Sequence, residues 1–298
     1  MIKKILVPMG GVSERSRHLD TALNLAVRFS AHVEAVHAAL DPRDSVAYLG
    51  DGMTGTMIAQ VMAAAEKESE ERAAKARQVF VDTCTDIGVS VADSPTPSGA
   101  GTSATARFSS VAGHQDVLVA HHGRLSDLIV GGRSVTDATS ALPVALEAAI
   151  METGRPVLVT PPMEVDWNCG SPIGKNIALA WSGSPEAARA VAFAMPFLQD
   201  AERVNIIYYG EEHGEATGAE ELQDYLAWHG IQTTVGKGSG GISEKMTTGE
   251  NLLAQAGILG ADLLVMGAFT HSRLRQIIFG GTTRHVMEKS KTAVLLAH

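Results

Sequence analysis

Cysteine is scarce in this chain. Only Cys84 and Cys169 occur, at no spacing that would seat zinc or build a disulfide framework, which fits a reducing compartment. No uninterrupted apolar run approaches the roughly 18 residues of a membrane span. The N-terminal MIKKILVPMGG carries too short an apolar stretch after its lysines to be a signal-peptide core and reads as a first strand. Basic residues are outnumbered, 24 Lys and Arg against 33 Asp and Glu, and the formal charge of −9 argues against a nucleic-acid backbone as the main partner. There is no G-x-S-x-G elbow and no evident Cys–His arrangement, so nothing marks a nucleophile. Gly236-Lys237-Gly238-Ser239-Gly240-Gly241 lacks the Gly-Lys-Ser/Thr ending of a Walker loop and reads as a flexible connection at a strand end. What these absences leave is a cytoplasmic globular protein with no membrane partner, whose 45% apolar content supports a full core.

The chain repeats itself. KKILVPMGGVSE at 3–14 aligns with KNIALAWSGSPE at 175–186; Asp127 to Val130 followed by Gly132 answers Asp262 to Val265 followed by Gly267; RPVLVT at 155–160 answers TAVLLA at 292–297. Three matched strands in the same order, with helical stretches between them, indicate two homologous α/β halves. The boundaries read as 1–162 and 173–298, joined by a linker rich in Pro and Gly.

In the first half, Ile5 to Val7 is a strand, Arg15 to Phe29 a helix with Leu19, Leu23, Ala26 and Val27 at helical spacing, and Val33 to His37 the second strand. A long Ala-rich helix runs from about Thr54 to Ile87, with Glu68–Arg72 and Glu71–Lys75 pairs on its solvated face and Ala76, Phe80, Cys84 and Ile87 inward. Phe108 to Val111 is the third strand. His121 and His122 end the next helix, and as neighbours they point to different faces, so they read as surface residues rather than a metal pair. In the second half the strands are Ile177 to Trp181, Val204 to Tyr208 and Ile231 to Val235, with helices over Glu186 to Leu198 and Glu220 to Trp228.

The most informative stretch runs from Leu263 to Met287. Leu263 to Met266 is a short apolar run of the kind buried on both faces of a parallel sheet, and Gly267 ends it. A basic and apolar segment follows, then Gly280-Gly281-Thr282-Thr283 and a helical pattern. Glycines allow close backbone approach to an anion, and N–H groups at a helix N-terminus point at it. The threonine hydroxyls add donors. The same four residues also serve as a plain turn with a Thr N-cap. Arg273 and Arg275 read either as steering charges or as solvated ones. Leu274, Ile277 and Ile278 at i, i+3 and i+4 favour a helical form in which at most one arginine reaches a ligand.

Gly267, Thr270, Gly280 and Gly281 are spaced in a way that resembles the nucleotide loop of the universal stress protein family, G-x2-G-x9-G-[S/T]. Thr270 stands in place of the second glycine, and Gly281 in place of the Ser/Thr, with a Thr one position later. The acidic residue of the family's first loop is Ser182 here and Gly10 in the first half. After its fourth strand the first half reads GGRSVTDATSALP, without the spacing. The resemblance covers the whole chain and implies an α/β fold of two tandem five-stranded parallel-sheet domains, Rossmann-like and of the adenine nucleotide alpha hydrolase-like type. It implies adjacent first and fourth strands, with a crevice at their carboxyl ends where Ser182, Gly183 and Ser184 meet Gly267. The implied ligand is an adenine nucleotide, ATP or AMP, bound without a metal in the second half by those residues with Thr270, His271, Arg273, Gly280, Gly281, Thr282 and Thr283. The implied function is a non-catalytic nucleotide-binding regulator of the stress response, an intramolecular pseudo-dimer that could also form a homodimer. An interaction scaffold without nucleotide and a slow ATP hydrolase are the alternatives.

Overall fold

The computed structural model describes residues 1–10, 16–39, 54–93, 103–133, 143–167, 171–208, 218–236, 246–269 and 281–298. These residues form two compact units. One holds residues 2–131 and 143–153, and the other holds 154–298 with Met1, Gly132 and Arg133 from outside that range.

The first unit carries β1 (Lys4–Met9), α1 (Arg17–Phe29), β2 (His32–Ala39), α2 (Gly55–Ile87), β3 (Ser90–Val91), β4 (Thr105–Ala112), α3 (Gln115–Gly123), β5 (Leu128–Gly132) and α4 (Val144–Glu152). Its strands lie in the order β3-β4-β2-β1-β5, and every pair is parallel. β1 sits at the centre, so Ile5, Leu6 and Val7 are wholly buried, as a continuous apolar run requires of a strand covered on both faces. The long helix begins where Thr54 accepts the Met57 N–H at 3.4 Å, and it ends at Gly88, whose φ of +80° favours glycine. Ala76, Phe80 and Cys84 face the core as expected, and burial pushes the Cys84 thiol up to about 12, which makes it inert. Glu68 pairs with Arg72, while Glu71 faces Lys67 rather than Lys75.

The second unit carries β6 (Val157–Thr160), β7 (Asn176–Trp181), α5 (Pro185–Leu198), β8 (Arg203–Tyr208), α6 (Ala219–Trp228), β9 (Thr233–Gly236), α7 (Thr248–Ile258), β10 (Leu263–Gly267), α8 (Gly281–Lys289) and β11 (Ala293–Ala297). The order is β6-β11-β10-β7-β8-β9, parallel except for β6, which runs antiparallel to β11 with Leu158 opposite Leu295. The VLVT and AVLLA segments therefore pair with each other, which covers the edge of β11 that β10 leaves free. Pairing with β11 is also why residues 154–160 belong to this compact unit although the sequence repeat assigns them to the first half. The fifth parallel strand of the first unit is instead the short β3, invisible in the sequence because its two residues, Ser90 and Val91, are both exposed.

The repeated aspartates explain themselves in space. Asp127 accepts the N–H groups of Lys3 at 2.8 Å and Lys4 at 3.0 Å, and Asp262 accepts those of Gly174, Lys175 and Asn176 at 2.6, 3.0 and 2.9 Å. Each carboxylate satisfies donors where a central strand begins, and so fixes the register of β1 beside β5 and of β7 beside β10.

His122 departs from the surface reading. It is half-buried, with Nδ1 3.3 Å from Oε1 of Glu34, whose other oxygen meets Lys4 Nζ at 2.7 Å. Only His121 is exposed; β2 supplies a carboxylate that helical spacing on α3 alone does not reveal.

Candidate functional site

In the second unit β7 and β10 are neighbours, with Ala180 opposite Met266, and their carboxyl ends feed the turn at 182–184 and the exit at 267–269. Gly183 has φ +71°, a left-handed conformation that glycine takes without strain. Ser184 caps α5 by accepting the Ala187 N–H at 3.2 Å, and Ser182 Oγ donates to Ser184 Oγ at 3.1 Å. Pro185, at the first helical position, has no N–H to offer, and Glu186 brings a carboxylate, paired with Arg189 at 2.7 Å. Capped, short of one donor and carrying an acid, the N-terminus of α5 is ill suited to a phosphate.

Gly267 meets this turn as the sequence suggests. A Cβ there would lie 2.6 Å from Ala187 N and 2.7 Å from the Glu186 carbonyl carbon, so the space a side chain would fill is occupied by the first turn of α5. Glycine at this position is demanded by helix packing.

The opposite character belongs to α8. Its first turn, Gly281-Thr282-Thr283, carries no acidic residue. Gly281 is exposed, and among the described residues nothing outside its own helix and chain neighbours lies within 4 Å of where a Cβ would stand; Thr282 is half-buried. The leading N–H groups of a helix have no partner within it, and here they begin a helix beside the β10 exit. Thr283 is 5% exposed and turned inward: its Oγ1 accepts the Phe269 N–H at 3.4 Å. Thr270, His271, Arg273, Arg275 and Gly280 lie outside the described residues.

Two features were not anticipated. A cavity of about 360 Å3 opens beside the turn, lined by Trp181 at the end of β7, Ala188 and Val191 of α5, and Glu221, Leu222 and Tyr225 of α6. Its only sequence signal is the aromatic Trp181 where the first half has Met9. At the far end of α8, Arg133 donates to the carbonyls of Met287 and Ser290. Burial lowers this guanidinium to about 10, so it is still charged at neutral pH and complements the helix C-terminus. Arg133 lies in the segment where the first half lacks the glycine spacing, a place that sequence spacing marks only as a loss. Among the described residues no cluster of His, Cys, Asp and Glu could hold a metal ion, and no helix is long and apolar enough to cross a membrane.

A parallel α/β architecture, present in two units and with adjacent first and fourth strands bounding a crevice, defines the class. The universal stress protein family profile matches residues 1–94 and 174–298, and the chain belongs to that family. Among solved structures it is similar to a universal stress protein from Archaeoglobus fulgidus DSM 4304, with a TM-score of 0.63 at 16% identity over 99% of this chain and 97% of that one. A candidate universal stress protein from Pseudomonas aeruginosa UCBPP-PA14 gives 0.53 at 15% identity over 99% and 93%. A functionally unknown protein from Pseudomonas aeruginosa PAO1 gives 0.52 at 15% identity over 99% and 92%. At these identities the likeness speaks for the fold alone. No curated protein matches the chain.

Proposed function

We propose that this chain is a non-catalytic regulator of the stress response, acting in the cytoplasm, that binds one adenine nucleotide, ATP or AMP, in its second unit. The observation that carries this reading is the first turn of α8. Of the four helices described in that unit, α5, α6 and α7 each place an acid in the first turn, at Glu186, Glu220 with Glu221, and Glu250, and α8 places none. Helix dipoles attract anions at the N-terminus, and a carboxylate there competes with a phosphate for the same N–H groups. Among the described helices of that unit only α8 has no carboxylate competing for that end, and it follows the strand that borders the crevice. The cavity beside Trp181 is of a size to take a base, with an aromatic wall and one carboxylate acceptor.

In this reading the phosphates lie against the N–H groups of Gly281 and Thr282, while Thr283 holds the turn. No step of bond breaking is assigned in this reading. The reading includes an intramolecular pseudo-dimer of the two halves, which could also form a homodimer. Native mass spectrometry of the purified chain tests ligand and subunit number together: one adenine nucleotide per chain supports the reading, and a chain that stays bare in millimolar ATP refutes it.

The scaffold alternative draws on a different observation. Trp228 is 87% exposed at the end of α6, with Tyr225 of the same helix 45% exposed. Large aromatics left in water are candidates for a partner contact.

A further inference from the structure

The exit of β10 adopts a backbone conformation that phenylalanine does not favour. Phe269 has φ +60°, the left-handed region, where a residue with a Cβ is strained. Such a conformation persists only where neighbours enforce it, and three hydrogen bonds and a ring contact do so. The Ala268 N–H donates to the Ala297 carbonyl at 2.8 Å, carrying the β10–β11 ladder one residue past the strand. His298 Nδ1 lies 3.0 Å from the Ala268 carbonyl, which can only accept, so Nδ1 carries the proton and donates. The Phe269 N–H then donates to Thr283 Oγ1 at 3.4 Å, while the Phe269 ring, 4% exposed, sits edge-on to the His298 ring with centroids 6.3 Å apart.

These contacts join three places distant in sequence: the start of the segment that follows β10, the first turn of α8 where that segment ends, and the end of β11. The distance between the two ends of the segment, and the direction in which the first turn of α8 points, are thereby set before any ligand arrives. We propose that Thr283 and His298 are positioning residues for the anion site at the α8 N-terminus: together they hold Phe269 left-handed and fix the leading N–H groups of α8 in the geometry that receives phosphate. Thr283 accordingly acts through Phe269 and not by touching the ligand. His298 acts through the Ala268 carbonyl. A preorganised donor set binds more tightly than one that must be ordered on binding.

The inference rests on the proposed nucleotide site, and its test separates the two. Four variants of the full chain are compared with wild type: Thr283→Val and His298→Ala, which remove the acceptor and the donor, and Thr283→Ser and His298→Asn, which restore them. Asn places an amide N–H close to where Nδ1 stands. The first measurement is amide hydrogen exchange without nucleotide, read at Phe269 and at the first turn of α8. Faster exchange at both places in Thr283→Val and His298→Ala, with wild-type rates in Thr283→Ser and His298→Asn, is the expected result. Unchanged exchange in the two deletion variants overturns the proposal whether or not ATP binds.

The second measurement is ATP affinity, expected to fall about fivefold to tenfold in the deletion variants and to return in the conservative pair. If wild type binds ATP and the deletion variants bind equally well, the positioning role is refuted while the site stands. If wild type binds no ATP, the nucleotide reading falls, and the exchange data alone decide whether the two residues hold the turn.

Discussion

Replacing Gly267 by alanine adds one methyl group at the point where β10 meets α5. That Cβ would stand 2.6 Å from the Ala187 nitrogen, about 0.8 Å inside the 3.4 Å at which ordinary contact begins, with the Glu186 carbonyl carbon and Cβ at 2.7 and 2.9 Å. Two of the three obstacles are backbone, and the helix they belong to is tied down by Pro185 and by the Ser184 cap. Nothing can swing aside, so the helix must shift or the strand must bend. Overpacking of this kind costs about 1–3 kcal/mol.

The chain provides its own probe: its three tryptophans, Trp167, Trp181 and Trp228, all lie in the second compact unit, so indole fluorescence reports that unit alone. With a urea slope of about 2 kcal/mol per molar, the midpoint followed by fluorescence should fall by roughly 0.5–1.5 M. An unchanged midpoint would show that α5 does not sit on Gly267 as described. The same change at Gly281 is the control, because in that helical residue a Cβ meets none of the described residues outside its own helix. Gly281→Ala should leave the midpoint unchanged or raise it by an amount equivalent to about 0.5–1 kcal/mol.

Three further outcomes are expected. Gly281→Val, however well it folds, should weaken ATP binding in a competition assay, because a branched side chain crowds the backbone donors of the first turn; equal affinity would move the phosphates elsewhere. Arg133→Met should lower the fluorescence midpoint by an amount equivalent to about 1.5–3 kcal/mol through loss of the charge-assisted bonds to Met287 and Ser290. Lysine should rescue it poorly, since one ammonium does not reproduce the fork; full rescue would mean that charge alone matters. In the first unit, burial opposes the charge of Glu34, but Lys4 and His122 outweigh it and hold its carboxyl below the usual 4.5. The folded value is depressed, so its stabilisation is complete above about pH 4.5 and fades as pH falls through the folded value. Urea midpoints by circular dichroism should therefore lose part of their acid sensitivity in Glu34→Gln, and parallel curves for the two proteins would refute the pairing.

Strands covered on both faces were legible because runs as short as Leu263 to Met266, ended by Gly267, suit a buried strand better than a helix of ordinary length, and the repeated aspartates marked equivalent strand beginnings in both halves. Thr54 and Gly88 bounded a 33-residue helix because caps are local chemistry. Contacts made across the fold were hidden. The Glu34 carboxylate beside His122, the Arg133 fork at the end of α8 and the His298 tie to Ala268 join residues 88, 154 or more, and 30 positions apart, and spacing rules do not reach that far. The helix α7 could have been found, since Thr247 and Glu250 form a capping box that is written in the sequence as T-x-x-E. Of the candidate site, the sequence located the turn at 182–184, its meeting with Gly267 and the start of α8. It did not show that Gly267 packs against the first turn of α5 or that Thr283 turns inward to the Phe269 N–H, because a glycine and a threonine look the same in the sequence until their neighbours are known.

The central claim is that one anion site exists per chain, in the second unit, at the first turn of α8. Titration calorimetry of the full chain with ATP tests it most directly: the account predicts a single class of site at about one per chain, since a single glycine-bounded first turn supplies the donors. Two equivalent sites per chain, or no binding heat with ATP or AMP at several temperatures, would contradict it.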